Sequence, residues 1–333
     1  MSIPVIAVFN STGGVGKTSI VYHLAWMFAD RGLRVLAADL DPKSNLTASF
    51  LDEDRLEEIL DGPNRTITIS GALQPLKRGT GDIAEPHTEC ITERLSVLLG
   101  DMALSTFEDE LSGVWPKCLD GDKRAFRVIS AFWRVMQIAG SKQTADVVLV
   151  DLGPNLGALN RAALIAADFV VIPLGPDLFS LQGLRNLGPT LQQWRREWGE
   201  RLGKKPVGDL DLPSGSIQPI GYMVLRHSIR LDRPVKAFER WIGRIPTTYA
   251  EAVLQQPAVD ASVTVETDPH CIARLKDYRS LMPLAQEARK PMFFLKPADG
   301  AMGAHAHAVA SAYMDFKSAS ERIAAAAGVK GLS

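Results

Sequence analysis

Residues 3–9, Ile-Pro-Val-Ile-Ala-Val-Phe, form an unbroken apolar run that stops at Asn10-Ser-Thr-Gly-Gly14. A run of this length and texture predicts a strand buried on both faces, followed by a tight glycine turn. Between residues 18 and 30 the apolar positions Ile20, Val21, Leu24, Ala25 and Phe28 recur at helical spacing. Gly32 stands where a helix end calls for left-handed backbone. A second apolar run covers 33–40. Strand, helix and strand within forty residues predict a right-handed βαβ unit opening a parallel sheet.

The stretch 51–144 is less regular. It predicts a helix over 52–60 broken at Gly62-Pro63-Asn64, a short strand over 94–99, and one amphipathic helix over 123–138 carrying Phe126, Val128, Ile129, Phe132, Trp133, Val135 and Met136. Residues 145–151 are a buried strand ending in an acid, Asp151. A helix over 159–167, a strand over 169–174, a long helix over 181–202 and a strand over 217–225 follow. This alternation predicts an α/β fold, a doubly wound, mainly parallel sheet with helices on both faces. From Asp232 the pattern is helical and loop-like. Residues 292–295 read as a short edge strand or a packing run, and 305–327 as a final helix packed on the sheet. We expect one domain over 1–257 and a helical extension over 258–333 packed on it.

Composition narrows the class. Hydrophobic residues at 46% and charged residues at 23% exclude a low-complexity or disordered chain. Cys90, Cys118 and Cys271 are widely spaced with no C-x-x-C pair, which argues against a disulfide scaffold and a zinc ribbon and fits a reducing cytoplasm. Lys plus Arg total 37 against 38 Asp plus Glu, so any nucleic-acid contact must come from a local patch. The run 3–9 is far short of the roughly 20 residues that span a bilayer and lacks the basic leader of a signal peptide. A soluble, cytoplasmic protein is expected.

The candidate chemistry lies in Ser11-Thr-Gly-Gly-Val-Gly-Lys-Thr18, between a predicted strand and a predicted helix. Small residues let successive amides and the helix N-terminus wrap a phosphate. Lys17 supplies a point charge to the β/γ-phosphates, and the Thr18 hydroxyl is placed for Mg²⁺. Residues Thr12, Gly13, Gly14, Val15, Gly16, Lys17, Thr18 and Ser19 are therefore the expected nucleotide-binding segment. The six histidines are scattered, and no nucleophile motif is present.

Ser11 stands at the first glycine position of the strict P-loop pattern, and the loop instead resembles the deviant Walker A loop, K-G-G-x-x-K-[ST], of the ParA/MinD family of dimerising P-loop ATPases. Four further segments are similar to that family in the same order: Asp39-Leu-Asp-Pro-Lys-Ser-Asn-Leu-Thr47, Arg94 to Asp101 with Leu104-Ser105, Asp151-Leu-Gly-Pro-Asn-Leu-Gly157, and 166–173 with Leu181-Gln-Gly-Leu184. The resemblance implies ATP and Mg²⁺ as cofactors, with Lys17 and Thr18 on phosphate and metal. It places Asp39 near the metal, has Asp41 helping to activate the attacking water, and makes Asp151 the Walker B acid. It also implies a nucleotide-dependent homodimer with weak ATPase activity, non-specific DNA binding, and a partner protein that stimulates hydrolysis.

One departure stands out: the family's lysine before Gly-Gly, which reaches the partner's nucleotide, is Thr12 here. Another cation substitutes for it, hydrolysis is slow, or the dimer is built differently. Lys43, where the family often has glutamine, is first in line as the substitute, although a solvated surface lysine is the more natural reading of it. Basic residues between 226 and 244 make Arg230, Arg233 and Lys236 the candidate DNA contacts. The last helix has balanced charge, so no membrane contact is expected. The leading expectation is an ATP-dependent switch for partitioning DNA or positioning cargo. The alternatives are a biosynthetic ATPase resembling cobyrinic acid a,c-diamide synthase, disfavoured by the lack of a recognisable glutaminase cysteine, and a nucleotide-binding scaffold with little hydrolysis.

Overall fold

Val5, Ala7 and Phe9 pack into one hydrophobic core and Ile6 and Val8 into another, and all five are fully buried. The first strand has no polar position because it has no wet face. A computed structural model describes residues 2–61, 67–206, 208, 210–225, 235–260, 262–276, 278 and 280–332, with only the backbone for 60, 61 and 235–238.

The eight strands are β1 (Val5–Val8), β2 (Val35–Asp39), β3 (Glu89–Thr92), β4 (Leu95–Leu98), β5 (Val147–Asp151), β6 (Phe169–Leu174), β7 (Gln218–Leu225) and β8 (Cys271–Leu275). They form one sheet in the order β3-β4-β2-β5-β1-β6-β7-β8. Every pairing is parallel except the edge pair β3–β4. The chain leaves β1 for β2 on one side and passes from β5 across β1 to β6 on the other. Crevices at the carboxyl ends of strands at such a reversal are where ligands bind in open α/β sheets.

The helices are α1 (Lys17–Asp30), α2 (Asn45–Phe50), α3 (Glu53–Asp61), α4 (Ile69–Arg78), α5 (Glu108–Val114), α6 (Lys123–Ile129), α7 (Ala131–Lys142), α8 (Ala158–Ile165), α9 (Leu178–Leu202), α10 (Val235–Ile242), α11 (Ile245–Thr248), α12 (Met282–Ala288) and α13 (Ala304–Ala327). Helices α4 to α9 cover one face of the sheet, and α1, α2, α12 and α13 the other. The doubly wound α/β architecture is as expected.

Three local differences have physical reasons. The single helix expected over 123–138 is two, α6 and α7, separated at Ser130, whose hydroxyl donates to the Phe126 carbonyl at 2.7 Å. A hydroxyl bonded to the preceding turn bends a helix without disturbing its apolar period. The region after Asp232, expected to hold no regular strand before 292, contributes β8, in which Ala273 is only partly covered and Arg274 is exposed. Residues Met292–Phe294 form a 3₁₀ turn that packs on the second core, which decides between edge strand and packing run.

The 3₁₀ turn and α13 dock on α1 through His23. Its Nε2 accepts the Met292 N–H at 3.2 Å, so Nδ1 carries the proton and donates to the Ser19 carbonyl at 2.6 Å. The ring stacks on Phe316, 5.0 Å between centroids. Burial pushes the His23 pKa down to about 4. Below pH 6.5 the unfolded chain therefore takes up a proton that the folded chain refuses. The contribution is full above that pH and lost as pH falls towards about 4, on the order of 3 kcal/mol in total. His23→Gln should flatten the fall in urea midpoint between pH 6.5 and 4 relative to the parent. An unchanged slope would assign it to other groups.

Candidate functional site

The loop between β1 and α1 turns on two glycines with left-handed backbone, Gly14 (φ 74°) and Gly16 (φ 69°). A Cβ on Gly16 would also lie 2.8 Å from Leu225 Cδ2, so both conformation and space demand glycine there. Asn10 ties the loop down: its Nδ2 donates to the Pro173 carbonyl at 2.7 Å and its Oδ1 accepts the Thr12 N–H at 2.9 Å. Helix α1 starts at Lys17 with no side-chain cap and no acid in its first turn. Its first amides are therefore not answered by any capping side chain, the arrangement that favours an anion. The Lys17 ammonium donates to the Thr12 carbonyl at 3.1 Å.

Asp39 and Asp151 are register partners at the carboxyl ends of β2 and β5. Asp39 is satisfied from within its own segment: Oδ2 accepts the N–H and the hydroxyl of Thr47, both at 2.8 Å, and Oδ1 accepts the Asp41 N–H at 3.2 Å. The Gly100 N–H donates to the Thr47 hydroxyl at 2.9 Å, which extends this string to the end of β4. Asp151 differs. Its Oδ2 accepts the Thr18 hydroxyl at 2.7 Å, while its buried Oδ1 has no hydrogen-bond partner. Burial, and then the Asp39 carboxylate, raise the Asp151 pKa well above the ordinary carboxylate range; burial raises that of Asp39 as well. Burial lowers the Lys17 pKa against the pull of Asp151 and Asp41, and the charge of Lys43 lowers it further.

A cleft of about 480 Å³ opens over these groups, lined by Gly13, Gly14, Gly16, Lys17, Thr18, Ser19, Asp41 and Lys43 and walled on its far side by Leu225, Leu275, Tyr278 and Met282. Asp41 is nearly buried; its Oδ1 accepts the Lys43 N–H at 3.1 Å and would lie 3.3 Å from a Cβ on Gly153. Lys17, Thr18, Asp41 and Lys43 thus meet around one cavity, with Asp151 beneath Thr18. Thr12 and Val15 are not among its lining residues: Val15 is buried, and Thr12 packs against α9, its hydroxyl donating to the Phe179 carbonyl at 3.5 Å. Arg230 and Arg233 lie outside the described residues, as does the Lys236 side chain. Arg240 and Arg244 beside them are exposed and flank the Trp241 ring, at 5.2 and 5.3 Å from its centroid.

Sequence reasoning missed Asn10 as the tether of the loop, and Glu108 and Asn160, which hold the loop after β5. The Asn160 side-chain amide donates to the carbonyls of Gly153 (2.9 Å) and Asn155 (2.7 Å). No spacing announces such contacts, because each joins residues from separate motifs or lies outside any motif.

The unpartnered, buried Asp151 oxygen next to a threonine hydroxyl fits a hard divalent cation. Among the described residues no group of three or more His, Cys, Asp or Glu could hold a metal. A Mg²⁺ ion bound chiefly through phosphates and one or two protein oxygens needs no such group.

Comparison with known proteins agrees with this geometry. Residues 3–203 match the AAA_31 family, described as an AAA domain. The chain is 31% identical over 188 residues to the protein IncC of Escherichia coli, covering 56% of this chain and 45% of that one. It is 29% identical over 198 residues to the chromosome partitioning protein ParA of Caulobacter vibrioides, covering 60% and 66%. It therefore spans less than two thirds of either relative. Among solved structures, protein DIP2308 from Corynebacterium diphtheriae superposes with a TM-score of 0.72 at 26% identity, covering 97% of this chain and 98% of that one. Loop geometry and family match reach one conclusion from opposite directions: the chain belongs to the AAA_31 family, among the ParA-like P-loop ATPases.

Proposed function

We propose that the chain is an ATP-dependent switch of the ParA type, which binds Mg-ATP, closes as a homodimer and hydrolyses ATP weakly. The observation that carries this reading is the uncapped N-terminus of α1 with Lys17 and the Thr18–Asp151 pair converging below one cleft. Lys17 would exchange the Thr12 carbonyl for the β/γ-phosphates while the loop amides face the same oxygens. Thr18 and Asp151 would hold the Mg²⁺, with Asp39 ordering the segment behind them; the ion would neutralise charge on the phosphate oxygens. Asp41, held beside Gly153, would orient the attacking water and accept its proton.

Exposed apolar side chains stand around this end of the sheet: Leu156 in the loop after β5, and Leu178 and Phe179 at the start of α9. A second copy covering them would shield apolar surface and the nucleotide together, which supports the dimer. The Caulobacter relative is named for chromosome partitioning, and partitioning of DNA or positioning of another large cargo is the role proposed here. A partner protein that stimulates hydrolysis is proposed with it. The cytoplasm is the proposed location: Cys90, Cys118 and Cys271 are unpaired, and no helix among the described residues is long and apolar enough to cross a membrane.

Asp41→Ala tests the switch. The variant should keep ATP affinity, lose at least about a hundredfold in hydrolysis, and persist as an ATP-bound dimer in size-exclusion chromatography. In that trapped state it should bind DNA at low salt and release it towards physiological salt, with a log–log slope near −5 if about six phosphates are contacted. A variant unable to bind ATP would make Asp41 structural, and a monomer at saturating ATP would overturn the switch.

A further inference from the structure

The loop that follows β5, residues 152–157, is held from outside. Helix α8 begins directly after it, and its N-cap position, Gly157, has no side chain to answer the first amides. The Glu108 carboxylate from α5 does so instead. Its Oε1 accepts the Ala158 N–H at 2.5 Å and its Oε2 the Leu159 N–H at 2.7 Å. A Cβ on Gly157 would lie 2.5 Å from Glu108 Oε1, so glycine at 157 is the condition for this carboxylate to enter. A charged, two-oxygen acceptor on two amides at the positive end of a helix is among the stronger hydrogen-bond arrangements in proteins.

Glu108 stands on a fixed base. Phe107 and Leu111 on either side are fully buried, and the Phe107 ring packs edge-on to Phe132 at 5.8 Å. The same carboxylate therefore fixes where the loop ends, while Asn160, one turn into α8, fixes its middle through the Gly153 and Asn155 carbonyls. Gly153 in turn abuts the Asp41 carboxylate. A Cβ on Gly153 would lie 3.3 Å from Asp41 Oδ1, so the loop held from α5 and α8 runs close beside the group that faces the cleft.

We propose that Glu108 is a positioning residue for hydrolysis: by holding the first two amides of α8 it keeps Gly153 against Asp41, and it sets the turnover rate without touching nucleotide. The inference rests on the ATPase reading of the site.

Glu108→Gln is the decisive variant. It keeps volume and packing but leaves one acceptor oxygen, and its amide N–H₂ is set against a backbone N–H donor. Amides 153–159 should exchange with deuterium at least about tenfold faster than in the parent, in the absence of nucleotide, with β1 and β5 unchanged. At saturating Mg-ATP, kcat should fall about tenfold while the ATP Kd stays within about twofold. Glu108→Ala should give the same split, more strongly. Parent-like exchange in Glu108→Gln would overturn the hold on the loop. Faster exchange with parent-like kcat would leave Glu108 a purely structural cap and overturn the proposal. Failure of the parent itself to bind ATP would instead overturn the reading of the site, and the nucleotide-free exchange data would still decide whether Glu108 holds the loop.

Discussion

Lys17→Ala is expected to remove measurable ATP binding, a loss of at least about a hundredfold in affinity. The ammonium is the one lysine charge inside the loop; it is buried, and its only hydrogen bond among the described residues is to a neutral carbonyl of the same loop. The cost of taking that charge out of water is borne by the folded, nucleotide-free protein, as its lowered pKa records. Exchanging the carbonyl for phosphate oxygens then replaces a neutral acceptor by charged ones, which are worth roughly twice as much per hydrogen bond. Alanine removes that gain and takes away the ammonium whose charge bears on both Asp151 and Asp41, so nucleotide would meet two less well opposed carboxylates. Lys17→Arg should not restore binding, because a planar five-donor fork does not occupy the place of a compact ammonium in a glycine loop. Titration with a fluorescent ATP analogue checks both variants. Retained micromolar affinity in Lys17→Ala would sink the assignment of this loop to phosphate.

The sequence made the middle of the sheet legible and its edges obscure, for one physical reason. Strands β1, β2, β5 and β6 are covered on both faces, so each reads as an apolar run that nothing but a buried strand explains. The edge strands β3 and β8 lack that cover: Cys90 in β3 is exposed, and β8 carries Arg274. Helix α4 was hidden by its own contents, Gly71 near its start and Pro75 inside it, although Thr68 caps it by accepting the Gly71 N–H at 3.1 Å. The site divides in the same way. Lys17, Thr18, Asp41 and Asp151 sit inside short motifs whose local geometry does the placing. Glu108 acts on that geometry from another helix, fifty residues away, and such a contact leaves no trace in either segment alone; Asn160 acts from the first turn of α8, just outside the motif.

The same division bears on Thr12. The resemblance to ParA/MinD proteins implies a lysine there that reaches across the dimer; the structure instead seats the threonine against α9, where a Cβ on Gly183 would lie 2.9 Å from its hydroxyl. Lys43 is differently placed. It lines the cleft, its backbone N–H is held by Asp41, and its charge already bears on the Lys17 ammonium. Lys43→Ala is therefore expected to lower kcat on the order of 10²-fold, the usual cost of one charge-stabilising contact to the transition state, with a smaller effect on ATP affinity. Thr12→Lys in the parent should change turnover little, since the charge would be duplicated, whereas in the Lys43→Ala background it should recover part of the loss. Single-turnover hydrolysis of the four proteins distinguishes the cases. If Lys43→Ala turns over like the parent while Thr12→Lys alone raises the rate by 10² or more, no cation of this chain fills the role, and the parent is a slow hydrolase because of residue 12. If neither substitution matters and the parent is fast, charge from the flanking lysines is irrelevant to the step, and the loop amides with Lys17 suffice.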